Sequence, residues 1–228
     1  MNLNLIPVNE RPQAVVSVLR QSGAVIANDL IQGLADKHGD GVAKALVAKL
    51  PAHAVAEIVK SFDYTKTSIV GDLLTPVLLR DAVCRLPLQR SETDSDVCDV
   101  LCAVIIPRNE EGTSGAFFRE LGKSTLGVLA LATAFPHEEM VAYHACGCFS
   151  EDDDAEEVDE RSVKVGSWEE LAFLLKTTSP SVFYKVMEVI QTSLANMPPT
   201  DLNVEFERLA RETFKMDTVD TDDPYAVA

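Results

Sequence analysis

Five side chains in this sequence could hold a soft metal ion or carry redox chemistry. They are Cys98 and Cys102, spaced four apart, and His144, Cys146 and Cys148, which alternate along a second segment. Residues four apart share one face of a helix, so the first pair makes one edge of a site if residues 97–106 are helical. Zinc needs four such ligands converging at about 2.0–2.3 Å. Neither pair has the two-residue gap of a zinc knuckle, and free cysteines are common as small core residues. A zinc-binding module built on these five residues is therefore an alternative reading, and the leading expectation is that no cofactor is bound. A nucleophilic or redox thiol needs a neighbour that lowers its pKa, and His144 is the one nearest in sequence to Cys146 and Cys148.

Other chemical signals are weaker. Gly122-Lys123-Ser124-Thr125 ends like a phosphate-binding loop, but Phe117 stands where the full pattern needs its first glycine. Lys123 then reads as an exposed lysine at a helix junction. His38, His53 and His137 have no Ser, Asp or Glu partner at a motif spacing. The pairs Glu138-Glu139 and Glu169-Glu170 read as first-turn residues that complement helix dipoles. The residues give no catalytic constellation, and the expectation is that the chain is not an enzyme.

The tract Glu151, Asp152, Asp153, Asp154, Ala155, Glu156, Glu157, Val158, Asp159, Glu160 carries eight carboxylates in ten residues. It lacks the spaced Asp pattern and central glycine of a calcium loop. Like charges at that density favour a solvated strip, and those eight carboxylates are the candidate docking residues for a protein partner with a basic surface. The whole chain is acidic as well, with 36 acidic against 20 basic residues and a net charge of −16. Such a molecule repels phosphate backbones and anionic lipid, so neither nucleic acid nor a membrane surface is an expected partner. No apolar run approaches the roughly 18–20 residues of a spanning helix, and residues 1–10 lack the basic and apolar regions of an export signal. Five cysteines form an odd set, and reduced thiols in a cytoplasmic protein are the simplest reading.

The elements that would position these residues are helices. Apolar residues within 24–37 recur at helical spacing, and Gly39 follows as a stop signal. A helix over 9–20 is expected to take Asn9 as its N-cap and to stop at Gly23. Residues 39–86 divide into four blocks of twelve, GDGVAKALVAKL, PAHAVAEIVKSF, DYTKTSIVGDLL and TPVLLRDAVCRL. Each block has room for one short helix and a tight connection. No such helix hides its apolar stripe alone, so neighbours must stack. This stretch resembles the short-helix superhelices of magnesium-transporter regulatory domains and flagellar rotor switch proteins. The resemblance implies architecture and carries no functional motif.

Beyond a polar connection at 89–99, residues 97–106 read as helix in preference to strand. Ser167 followed by Glu170 marks a capping box, Ser179-Pro180 opens another helix, and Thr200 or Asp201 caps a last one. The expected fold is mainly α: a short-helix, repeat-like N-terminal half over 1–90, packed with or linked to a helical half over 97–215. An acidic loop spans 150–161 and an acidic tail 216–228. The function expected of abundant helix with little chemistry is non-enzymatic protein–protein interaction, as an adaptor, assembly factor or component of a larger complex. A structural subunit of a viral or secretory particle is a further alternative.

Overall fold

Helices of five to sixteen residues cannot bury an apolar stripe against themselves, and the architecture is set by which stripes meet. A computed structural model describes residues 3–61, 69–89, 96–149 and 163–214. Within them the chain forms α1 (Arg11–Ser22), α2 (Ala24–His38), α3 (Asp40–Val47), α4 (Ala52–Lys60), α5 (Ile69–Leu73) and α6 (Pro76–Val83). A second series follows: α7 (Val97–Ile105), α8 (Ser114–Leu121), α9 (Thr125–Thr133), α10 (His137–Cys146), α11 (Trp168–Thr178), α12 (Pro180–Ala195) and α13 (Leu202–Thr213). No strand occurs among the described residues. The protein is mainly α, and no described helix is long and apolar enough to cross a membrane.

Local chemistry sets most boundaries. Gly23 and Gly39 sit at φ 86° and 83°, where a side chain would be strained, and each ends one helix while starting the next. The Gly23 N–H closes α1 on the Leu19 carbonyl, and the Gly39 N–H closes α2 on that of Ala35. Thr75 caps α6 by accepting from the Leu78 N–H, with Pro76 at the first helical position. Asn9 is not the cap of α1. Residues 7–10 form a turn, with the Glu10 N–H on the Pro7 carbonyl, and this delays the helix to Arg11. At α7 the helix-or-strand ambiguity is resolved by a reciprocal cap. Asp96 accepts from the Asp99 N–H at 2.9 Å, and Asp99 accepts from the Asp96 N–H at 3.3 Å.

Among the described residues each twelve-residue block of 39–86 holds one α-helix, from α3 through α6. Their principal contacts are α4 on α6 and α3 on α5, with α2 lying against α3, α4 and α5. The two halves share one core that runs from Leu3 to Ala210, and its main seam is α6 against α8. Central to that core is α9, whose residues Leu126 through Ala132 are all buried, so it has no polar face to turn outward. It is surrounded by α6, α7, α8, α12 and α13.

A buried arginine ties the halves together. The Arg108 guanidinium donates to the carbonyls of Gly71 at 2.7 Å and Asp72 at 3.0 Å, at the end of α5, and also to that of Val104. The carbonyls at a helix end have no partner within the helix, and here a charged fork from the other half supplies one. Burial lowers the Arg108 pKa, and the Asp72 and Glu111 carboxylates oppose the shift. The side chain also lies over the Phe117 ring at 4.7 Å. Replacing Arg108 by Met keeps the stem and removes the charged donor that the Gly71 and Asp72 carbonyls share across the two halves. Urea unfolding of Arg108→Met is expected to show a loss of about 2–4 kcal/mol.

Candidate functional site

A groove of about 580 Å³ lies between α9, α12 and α13. Its floor is apolar, from Val128 and Leu129 of α9, Val189 of α12, and Leu202 and Leu209 of α13. Lys123 and Lys185 stand together at one end, because Lys185 Nζ donates to the Gly122 carbonyl at 3.0 Å. Asn196 and Thr200 close the other end, where the Asn196 amide donates to Thr200 Oγ1 at 2.8 Å. Glu188 and Glu205 lie along the walls. Lys185 to Asn196 is eleven steps of helix, so the groove runs for about 16 Å at about 1.5 Å per residue.

The Gly122-Lys123-Ser124-Thr125 sequence forms the connection that shapes the lysine end. Gly122 closes α8, and Ser124 caps α9 by accepting from the Gly127 N–H at 3.0 Å. The segment is a helix junction, as its incomplete phosphate-loop pattern suggests. Lys123 is exposed and pairs with the Glu120 carboxylate, which also receives Arg80 Nη1 at 2.6 Å. Arg80 belongs to α6, so the groove's lysine end is anchored to the N-terminal half.

Two glycines make the junction possible. A Cβ on Gly122 would lie 2.6 Å from Val182 Cγ2, and one on Gly127 would collide with the Leu121 carbonyl oxygen. Glycine to alanine inside a helix ordinarily gains up to about 1 kcal/mol, but the clash at Gly127 is with backbone, which cannot swing away. Gly127→Ala is expected to lose about 1–3 kcal/mol in denaturant unfolding.

The metal and thiol candidates separate into two pairs. Cys98 and Cys102 are neighbours on α7 with Sγ atoms 3.7 Å apart. Cys146 and Cys148 flank Gly147, with Sγ atoms 2.6 Å apart. Among the described residues no three His, Cys, Asp or Glu side chains converge as a metal site requires, so neither pair gains a third ligand there. His144 does not serve as the neighbour of Cys146. Residues 137–146 are helical, and two positions along a helix turn the side chain by about 200°. The His144 ring instead lies 5.9 Å from those of Phe183 and Tyr184.

The thiols differ in environment. Burial raises Cys84 to about 11. Cys98 is also raised, first by its hydrogen bond with Cys102 and then by burial. Cys146 is exposed and its pKa is lowered, chiefly by the hydrogen bond with Cys148, with a smaller contribution from the Lys176 ammonium. Lys176 comes from α11, thirty residues further along the chain, and its Nζ sits 4.1 Å from the Tyr143 ring centre. The eight carboxylates within 151–160 lie outside the described residues. No protein-family model, curated protein or solved structure matches the chain.

Proposed function

We propose that this chain is a non-enzymatic protein–protein interaction protein that receives an amphipathic helix of its partner in the groove between α9, α12 and α13. The observation that carries this reading is the groove's form: about 16 Å from end to end, with an apolar floor and charged groups at one end and along its walls. A partner helix of about ten residues has that length, and its i, i+3, i+4, i+7 apolar stripe matches the floor. Lys123 and Lys185 suit an acidic residue or the carbonyl end of the incoming helix, and Glu188 and Glu205 suit its basic flanks. The carboxylates of residues 151–160 would extend the same preference for a basic partner surface, raising the association rate and making it salt-sensitive. An adaptor, an assembly factor and a component of a larger complex all use this mode.

Thr192 is an exposed groove residue, so filling the groove there leaves the core intact. The partner captured by the tagged chain is to be purified and its affinity measured against wild type and Thr192→Trp, with thermal unfolding as the control. The expected result is at least a tenfold loss, about 1.4 kcal/mol, with an unchanged midpoint. Equal affinity for both proteins would overturn the groove reading. Turnover of an ester, phosphoester or peptide substrate that one point mutation abolishes would overturn the non-enzymatic one.

A further inference from the structure

The turn that follows α10 is built unlike the other cysteine sites. Cys146 is the last residue of α10, and Gly147 caps it at φ 80°, ψ 8°, its N–H on the Tyr143 carbonyl. That left-handed step reverses the chain and brings the Cys148 Sγ to 2.6 Å from the Cys146 Sγ. A side chain at position 147 would be strained. The turn is held without any bond between the sulfurs. Phe149 stacks on Tyr143 at 4.3 Å and meets the Trp168 ring edge-on at 5.0 Å, which pins the returning strand of chain against α10 and α11. Cys146 is exposed and Cys148 is buried behind it. One thiol is thus accessible to an incoming reagent, while the second waits next to it and is shielded. The Cys98–Cys102 pair has no exposed member, and its sulfurs stand farther apart, at 3.7 Å.

We propose that Cys146 and Cys148 form a reversible dithiol–disulfide couple, with Cys146 as the attacking thiol, Cys148 as the resolving thiol and a low-molecular-weight disulfide as the oxidant. Cys146 releases its proton to solvent and attacks one sulfur of RS–SR. The RS–SR bond breaks, a Cys146–SR bond forms and one thiolate leaves. Cys148 then releases its proton and attacks Cys146 Sγ, forming the Cys146–Cys148 bond and expelling the second thiolate. The two cysteines together lose two electrons, RS–SR gains them, and the two thiolates regain the two protons as thiols. The lowered pKa of Cys146 and the nearby Lys176 ammonium favour the first attack. An exposed thiolate beside a resolving cysteine is the arrangement of redox-sensing sites. This couple is independent of the groove on α9, α12 and α13.

The test equilibrates the reduced, full-length protein with glutathione and glutathione disulfide at set ratios, quenches with acid, alkylates and maps the peptides. The expected product is one peptide carrying the Cys146–Cys148 disulfide, formed at ratios that leave Cys84, Cys98 and Cys102 as thiols. Cys148→Ser is expected to stop at a glutathione adduct on Cys146, and Cys146→Ser to form no adduct on Cys148. In the wild type without oxidant, iodoacetamide should modify Cys146 at least about tenfold faster than Cys84 or Cys98, a comparison that needs no variant to fold. A wild-type glutathione adduct that Cys148 never resolves would overturn the proposal. Oxidation of Cys98–Cys102 at a lower ratio, or reaction of Cys146 no faster than the buried thiols, would overturn it equally.

Discussion

The structure depends on a helix with no polar face. Residues 126 to 132 of α9 are all buried, so α9 is stable only when other helices surround it, and no single neighbour can do that. The chain meets the requirement with both of its halves: α6 from the first, and α7, α8, α12 and α13 from the second. Close approach on one side is set by the glycines at 122 and 127, which let α8 end and α9 begin within three residues. On the other side α12 and α13 flank Val128 and Leu129, which line the groove floor while staying largely buried. The same burial that assembles the fold therefore also shapes the groove.

Charged contacts across the seam fix how the halves meet. The apolar packing of α6 on α8 gives attraction without direction, whereas Arg108 on the α5 carbonyls and Arg80 on Glu120 are directional. Glu120 holds Lys123 as well, so the position of the lysine end of the groove is coupled to α6 in the N-terminal half.

The legible features in the sequence were local ones. Gly23, Gly39, Ser167 and Asp201 mark helix ends through backbone conformation or side-chain capping, and each stands at a boundary. The cap at Ser167 is half of the expected box. Ser167 accepts from the Glu170 N–H, but Glu170 Oε2 accepts from the Gly166 N–H instead of closing on Ser167. Among the described residues the twelve-residue blocks hold one α-helix each, yet they say nothing of α4 lying on α6 and α3 on α5, because those contacts skip a helix. The groove left no trace in the sequence. Its lining comes from residues 122–129, 185–196 and 200–209, three segments that no local sequence pattern brings together. The Cys146–Cys148 pair was visible, but its setting was not, since Lys176, Trp168 and Phe149 converge only through the packing of α11 on the α10 turn.

The most direct test of the groove as the functional surface is photo-crosslinking from single positions on the intact chain, with a probe at Thr192 in the groove and a second at exposed Val42 on α3. The account predicts that the Thr192 probe joins one short segment of the partner, that this segment has an amphipathic helical pattern, and that the Val42 probe does not reach it. Crosslinks to that segment from Val42 and none from Thr192 would contradict the account and place the interaction on the N-terminal helices.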